Sequence, residues 1–293
     1  MLRKSVAILF NPISGKGDGK RIARELSDRL ISCGMTAFCT ESNQSYKEGE
    51  LLTLIGDVDA LVVVGGDGTL AGILLELGRT SIPVYMLPAG NESLFARHFS
   101  MSWDIEKVIE ILSGTKTTSH SFGLVNDKAF FSMASIGLDS EIIARIAGYR
   151  KAAIGHMGYI VPGVSSFITH EVPNLSVKVD GQLVLKNNTG FIVIANAREY
   201  ALGLDPVPEA DSGNPILHAR FFPCRSRFDY ILWAYRCWRG RQVNTASACL
   251  LSGKCFEVYS EDSSPYPVQA DGEFIGDTPV KVSVSGDTLK VLA

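Results

Sequence analysis

The chain has 293 residues, 28 lysines and arginines against 31 aspartates and glutamates, a net charge of −3, and a hydrophobic share of 46%. This balance excludes an intrinsically disordered chain, which needs low hydrophobicity and high net charge, and a protein that grips nucleic acid through an overall basic field. The length suits two domains or one large one, and the 28 glycines stand somewhat above the usual share of roughly 7%.

The first 115 residues alternate strand and helix. Ser5–Phe10 is a mostly apolar run, followed by Lys20–Cys33 with Ile22, Leu26 and Leu30 at helical spacing. Thr36–Thr40 reads as a short strand and Lys47–Ile55 as a helix. Ala60–Val64 is wholly apolar, as a strand covered on both faces should be. Thr69–Leu77 reads as a helix, Pro83–Leu87 as a strand, and Asp104–Leu112 as a helix opened by an aspartate cap. This order implies a doubly wound, Rossmann-like parallel sheet with helices on both sides. The polar stretch Ser113–Ser121 lacks periodicity and marks a boundary, giving an α/β domain over 1–118 and a second domain over 119–293.

Beyond the boundary β-rich segments dominate, at Ser121–Asn126, Ala129–Ala134, Leu175–Val179, Thr189–Ala195, Ile216–Phe222, Cys255–Tyr259, Pro265–Ala270, Pro279–Val284 and Thr288–Leu292. Turn pairs Asn126-Asp127, Asp180-Gly181 and Gly286-Asp287 predict hairpins between them. Helices interrupt at Asp139–Ile146, His156–Ile168 and Arg227–Trp238. The expected architecture is a mostly antiparallel β-sandwich with inserted helices, whose last strand is free to return to the first domain.

No apolar run reaches the roughly 18 residues that a membrane-spanning helix needs. The opening MLRKSVAILFNP lacks a small-residue cleavage site and reads as a buried strand, not a signal peptide. The six cysteines, at 33, 39, 224, 237, 249 and 255, form no CxxC pair and no zinc-spaced cluster. Reduced thiols and a cytoplasmic setting are the favoured reading.

Three glycine-bearing loops follow strands of the first domain. The strongest is Gly65-Gly66-Asp67-Gly68-Thr69, which opens a helix. Glycines let the backbone approach a ligand closely, and amides at a helix N-terminus favour phosphate. Asp67 suits a cation or a substrate hydroxyl beside the phosphate, because an acid within the glycine run has no packing purpose visible in the sequence. The others are Asn11-Pro12-Ile13-Ser14-Gly15-Lys16-Gly17 and Leu87-Pro88-Ala89-Gly90-Asn91-Glu92-Ser93. Each is weak alone, since a plain strand-to-helix turn uses the same residues. In a doubly wound sheet, loops at carboxyl strand ends converge on one crevice. A fourth feature, Asp271-Gly272-Glu273, is a turn bearing two carboxylates far along the chain.

Together these segments resemble the catalytic family of diacylglycerol kinases, which includes bacterial lipid kinases, sphingosine kinases and ceramide kinases, over almost the whole chain. Asn11-Pro12-x-Ser14-Gly15 resembles the family's first motif and Gly65–Thr69 its nucleotide loop. Pro88-x-Gly90 with Phe95-Ala96-Arg97 resembles the third, Gly137-x-Asp139 a GxD in the lipid-facing segment, and Gly155…Tyr159 the helix after it. Asn196, Pro208 and Ala210 fit the sandwich segment. The resemblance implies transfer of the γ-phosphoryl group of ATP, with Mg²⁺, to a lipid hydroxyl. On it, Glu273 is the general base, with Asp67 and Asp271 beside it in the catalytic set. Asn11, Ser14, Gly15, Thr40, Gly65, Gly66, Gly68, Thr69, Gly90 and Asn91 hold the nucleotide, and Asp139 meets the lipid. The metal ligands are unassigned.

Departures from the family pattern are local. The third motif carries Asn91, Ser93 and Leu94 where the family has Thr, Asn and Asp. Asn214-Pro215 replaces an Asp-Gly at which bacterial members hold a structural Mg²⁺, and a neutral amide is the weaker ligand for a hard cation. No regulatory module is visible. Two other readings stand beside the lipid kinase: an NAD kinase-like phosphotransferase, which shares GGDGT, and a non-catalytic nucleotide- or lipid-binding regulator, motivated by the altered third motif.

Residues 218–242 carry six arginines, seven aromatics and one acid. Helical spacing over Phe228–Trp238 groups Phe228, Ile231, Tyr235 and Trp238, assigned to the core, and leaves Trp233 outside among charged residues. An exposed Trp amid arginines suits peripheral contact with an anionic membrane, and a core helix with a solvated face is the equal alternative. Nucleic acid is not expected as a partner, and a homodimer is left open. The five histidines are scattered, and only His98, beside the third motif, lies near a proposed site.

Overall fold

Five of the six residues of β1 (Ser5–Phe10) and all six of β3 (Ala60–Gly65) are buried, so these strands must be covered on both faces. The computed structural model describes residues 4–42, 49–89, 93–149, 163, 165–245 and 247–292. The chain divides into two units, Met1–Phe122 with Gly286–Ala293, and Gly123–Ser285.

In the first unit, α1 (Gly19–Ser32), β2 (Thr36–Glu41), α2 (Glu50–Ile55), α3 (Asp67–Gly78), β4 (Val84–Pro88), α4 (Leu94–His98), α5 (Ile105–Ser113) and β5 (Thr118–His120) complete the series. The sheet order is β2-β1-β3-β4, then the C-terminal strand Leu289–Val291, then β5. All neighbours are parallel except β5, which runs antiparallel to the C-terminal strand. Val6, Ile8, Val62 and Val64 pack with Leu26 and Leu30 of α1 and with Val108 and Leu112 of α5 in one cluster. Helix α3 lies against β3 and the C-terminal strand. Asp104 caps α5, its Oδ1 accepting from the Glu106 amide at 3.0 Å.

Two local expectations give way here. The polar stretch Ser113–Ser121 contains β5, whose partner lies about 170 residues later in sequence, as its register Leu289↔His120 shows. Gly286-Asp287 is not a hairpin. The chain leaves the second unit there and inserts its last strand beside β4, with Val291 opposite Val84. Gly78, at the end of α3, leaves room for the Phe122 ring, from which a Cβ on it would sit 2.6 Å.

The second unit is an antiparallel assembly of eleven strands, β6 (Gly123–Val125), β7 (Lys128–Phe130), β8 (Met133–Ile136), β9 (Asn174–Val179), β10 (Gln182–Ala195), β11 (Leu217–Pro223), β12 (Cys249–Gly253), β13 (Cys255–Tyr259), β14 (Pro267–Ala270), β15 (Glu273–Asp277) and β16 (Val280–Val284). The 14-residue β10 joins its two halves, pairing β9 early and β8 and β11 late. One apolar cluster, including Ile136, Val177, Ile192, Phe221, Phe256 and Val282, fills the space between them. This is the sandwich expected from the alternation. Its helices are α6 (Leu138–Tyr149), a helical stretch at 165–169, and α7 (Phe228–Trp238). Most of the helix expected at His156–Ile168, with Gly155 and Tyr159, lies outside the described residues.

The predicted face of α7 is reversed. Trp233 is 3% exposed, while Phe228, Ile231, Tyr235 and Trp238 are each at least half exposed. Two apolar stripes compete on this helix, and hydrogen bonding separates them. Trp233 Nε1 donates to the Pro223 carbonyl at 3.0 Å, and its ring meets Phe222 at 5.2 Å. Tyr230 stacks on Phe191 at 4.7 Å and its hydroxyl bonds His170 Nε2 at 2.8 Å. The inward stripe is therefore the one whose polar atoms find partners inside. All six cysteines are free thiols. Among the described residues no helix is long and apolar enough to cross a membrane.

Candidate active site

Parallel register brings the first unit's loops to one edge. Phe10 lies opposite both Glu41 and Val64, and Gly65 opposite Pro88, so the loops after β1, β3 and β4 leave the same carboxyl edge. Side chains then tie them together. The Asn11 amide N–H donates to the Val64 carbonyl at 3.0 Å, its Oδ1 accepts from the Ile13 amide at 3.1 Å, and its Nδ2 donates to Thr69 Oγ1 at 3.2 Å. Thr69 Oγ1 occupies the space where a Cβ on Gly65 would fall, at 2.7 Å. Ser14 and Gly15 form the short turn Ser14–Gly17, and a Cβ on the following Gly19 would sit 2.3 Å from the Asn11 carbonyl oxygen. Gly66 is the extended N-cap of α3, so the amides of Asp67 and Gly68 open the positive end of that helix.

Asp67 does have a packing purpose. Its Oδ2 accepts from the Leu94 amide at 2.8 Å and its Oδ1 from the Phe95 amide at 3.0 Å, so the carboxylate caps α4 from another loop. The second loop is thereby fastened to the end of the third. Leu94, which stands where the family pattern has Asp, is buried. Thr40 lies opposite Leu9, one position from the end of β2, and is half-buried. Gly90 and Asn91 lie outside the described residues.

The second unit builds a separate constellation around the turn between β14 and β15. Asp271 and Gly272 both have positive φ, 46° and 79°, and join Ala270 to its partner Glu273 as a two-residue turn. Asp271 Oδ2 accepts from the Phe131 amide at 2.6 Å, and Oδ1 from the Ser132 and Met133 amides, both at 3.0 Å. The Asp271 amide in turn donates to the Met133 carbonyl at 3.0 Å. Its carboxylate thus clamps the turn between β7 and β8. Asn196, fully buried, holds the same turn by donating from Nδ2 to the Phe131 carbonyl at 2.8 Å.

Gln269 links this hairpin to Asp139. Its Oε1 accepts from the Gly272 amide at 2.9 Å, and its Nε2 donates to Ser135 Oγ at 2.6 Å and to Asp139 Oδ2 at 3.3 Å. The Ser135 hydroxyl and the Tyr200 hydroxyl, the latter at 2.7 Å, donate to the same Oδ2. Burial first, and then the Asp139 charge, hold the Tyr200 phenol well above its ordinary range, so it stays a donor. Glu273, the first residue of β15, is half-buried beside this array.

The structure thus gathers Asn11, Ser14, Gly15, Gly65, Gly66, Asp67, Gly68 and Thr69 at one edge of the first unit. In the second it gathers Asp139, Asp271 and Glu273. Ser135, Tyr200 and Gln269 escaped sequence reasoning. Their one signal is polarity at buried or half-buried positions, and for Gln269 its place two residues before the DGE turn. Asn214 is exposed, and its Nδ2 donates to Asp211 Oδ2 at 2.6 Å in a local turn. Among the described residues no group of three or more His, Cys, Asp or Glu side chains forms a ready metal site.

A family model described as the diacylglycerol kinase catalytic domain matches residues 5–125, and one described as the YegS C-terminal NAD kinase beta sandwich-like domain matches residues 132–293. The chain belongs to the diacylglycerol kinase catalytic family. Relatives agree with this placement. A diacylglycerol kinase of Mycobacterium tuberculosis (strain ATCC 25618 / H37Rv) is 25% identical over 295 residues, covering 98% of this chain and 94% of its own. One from Staphylococcus carnosus (strain TM300) is 27% identical over 288 residues, covering 95% and 91%. A crystal structure of a diacylglycerol kinase from Bacillus anthracis str. Sterne has a TM-score of 0.71 at 19% identity, covering 99% of this chain and 97% of that one, and so shares the fold.

Proposed function

We propose that this protein is a lipid kinase that transfers the γ-phosphoryl group of ATP to the hydroxyl of a diacylglycerol- or sphingoid-like alcohol. The observation that carries the reading is the joining of motif loops at one carboxyl edge, through Asn11, Thr69 and Asp67, in a chain of this family. Fixed amides aimed at phosphate stabilise charge without reorganising, which is the main source of catalysis in phosphoryl transfer. The amides of Asp67 and Gly68, the Asn11 side chain, Ser14, Thr40 and Thr69 are the nucleotide's ligands on this reading. The residues fit a Mg²⁺ that arrives with the nucleotide better than one held in a protein cage, because Asp67 keeps free lone pairs after its two amide contacts. Asp67 would hold that ion, whose charge neutralises the phosphates.

An alcohol is a poor nucleophile until its proton leaves. Glu273 takes that proton as the oxygen–phosphorus bond forms and the bond to the leaving β-phosphate oxygen breaks, releasing ADP. Asp271 and Gln269 act as positioning residues, because their bonds fix the turn from which Glu273 starts. Asp139 meets the acceptor's polar head through Oδ1, since the three donors all converge on Oδ2.

The test is a reaction with labelled ATP on a total lipid extract, followed by identification of the labelled product. A phosphorylated lipid alcohol formed by the wild type and lost in Glu273→Ala supports the reading, and unchanged labelling in that variant overturns the base assignment. The description of residues 132–293 as NAD kinase-like makes NAD the natural competing acceptor. Label on NAD in place of lipid would replace the reading, and nucleotide binding without turnover on either would assign the chain to regulators.

A further inference from the structure

Helix α7 presents two unlike faces. Tyr230, Trp233 and Cys237 face inward, and the opposite stripe, Phe228, Ile231, Leu232, Tyr235 and Trp238, is exposed by 62, 58, 43, 50 and 63%. Five large apolar side chains on one helix face are far from the single exposed residues that any surface carries. The patch extends beyond the helix, because the Phe167 ring meets Phe228 at 5.8 Å and the neighbouring Ile168 is 58% exposed.

Charge surrounds this stripe. Residues 225–241 contain five arginines and one acid, Asp229, in a chain whose net charge is −3. Asp229 is occupied locally, its Oδ2 accepting from the amides of Arg225 and Ser226 at 2.7 and 2.9 Å. Among the described residues, Arg236, Arg239 and Arg241 form no ion pair. The Arg239 guanidinium lies 5.9 Å from the Trp238 ring centroid, so this cation sits against the exposed aromatic band, while that of Arg236 lies 4.6 Å from the inward-facing Trp233. Leu232, Tyr235, Arg236, Arg241 and Thr245 line a depression beside it, so two arginines and two hydroxyl-bearing side chains share its lining with Leu232.

We propose that this face of α7 is a docking surface for an anionic bilayer. Aromatic side chains settle at the level of the headgroups, apolar ones enter the acyl boundary, and arginines reach back to lipid phosphates. Charge decides between a bilayer and a second copy of this chain. A twofold pairing of α7 on α7 would crowd two sets of unpaired arginines together, whereas an anionic leaflet supplies the missing partners. The inference does not depend on which acceptor the enzyme uses, since docking is read as binding without turnover.

The experiment is sedimentation of the full chain with vesicles of phosphatidylcholine alone or mixed equally with phosphatidylglycerol. Binding to the mixed vesicles and not to the neutral ones is expected, with release as salt shortens the Debye length. Arg239→Glu with Arg241→Glu should weaken binding by more than about fivefold per position, because charge reversal exceeds the loss of one basic contact. Phe228→Ala with Trp238→Ala should weaken it at least about tenfold while leaving the circular dichroism spectrum unchanged, since both side chains are exposed. Lys186→Glu, on the exposed part of β10, should bind as wild type. Equal binding of both vesicles, or full binding by the α7 variants, overturns the proposal. So does a wild-type dimer that these variants dissolve without any vesicle binding, which would give the face to a second copy.

Discussion

Asp271→Asn is the sharpest probe of the second unit's constellation. The carboxylate accepts three amide hydrogens, at 2.6 Å from Phe131 and 3.0 Å from Ser132 and Met133. Asparagine tolerates the left-handed backbone at φ 46°, so the turn itself is not strained by the change. Its oxygen can keep the two longer bonds, now without a full charge. Its nitrogen, however, would meet the Phe131 amide donor to donor. Hydrogen bonds to charged groups contribute about 1.5–3 kcal/mol, and Asp271 is only half-buried, so a loss of about 2 kcal/mol is expected. For a unit of this size each kcal/mol moves the melting temperature by roughly 2–4 °C, giving a fall of about 4–8 °C. Asp271→Gly removes all three bonds but not the backbone freedom, while Asp271→Ala also adds a left-handed cost of about 1 kcal/mol. The order of stability is therefore wild type, Asn, Gly, Ala. The assay is thermal unfolding followed by circular dichroism, beside steady-state kinetics. On the proposed kinase reading, kcat of the Asn variant should fall, because Glu273 loses its fixed starting point, while KM for ATP holds. An Asn variant that melts and turns over like wild type would refute the clamp and with it the positioning of Glu273.

Two further outcomes follow from packing. Gly65→Ala places a Cβ 2.7 Å from Thr69 Oγ1 and 2.9 Å from Thr69 Cβ, both short of van der Waals contact, so the Asn11–Thr69 bond must open. Nucleotide affinity measured by calorimetry should drop at least about tenfold with a stability loss of roughly 1–3 kcal/mol, and unchanged affinity would remove this contact from the nucleotide site. Burial pushes the Cys224 and Cys237 thiols up to about 12. Because the folded thiols hold their protons above the unfolded value of about 8.5, their stabilisation is complete below that pH and is lost as pH climbs toward 12. Urea unfolding should show stability falling by about 1.4 kcal/mol per pH unit for each thiol in that window. A Cys224→Ala, Cys237→Ala protein should lose that part of the slope, and an unaltered slope would show that other groups control it.

The parallel sheet was legible because its strands advertise themselves. Ala60–Gly65 has no polar side chain, and Asp104 signals the helix after it. The end of the chain was legible only in part: its return to the first domain stood as an open alternative, but Leu289–Val291, apolar except for Lys290, suits a hairpin with β16 as well as a place beside β4. The distant partners Val84 and His120 decide, and no local signal names them. Helix α7 failed for a related reason. Both its stripes are apolar, and its orientation is set by hydrogen bonds from Trp233 and Tyr230 to Pro223 and His170, which lie outside the helix.

The site's motif residues were legible as types, but their division of labour was not. In each unit a motif aspartate stands beside glycine, and in each the structure turns that carboxylate onto the amides of another segment, Leu94 and Phe95 for Asp67 and Phe131 to Met133 for Asp271. A carboxylate is well suited to this, because one side chain can receive several N–H groups that a tight turn leaves without partners. Spacing alone cannot reveal such bonds, since their partners lie 27 and about 140 residues away. Once Asp271 is committed to three amides it is a poor candidate for taking a proton, because protonation would set an O–H against donors already in place. On the proposed reading the base role is left to Glu273, and the two aspartates supply the rigidity of the loop after β3 and of the turn before β15.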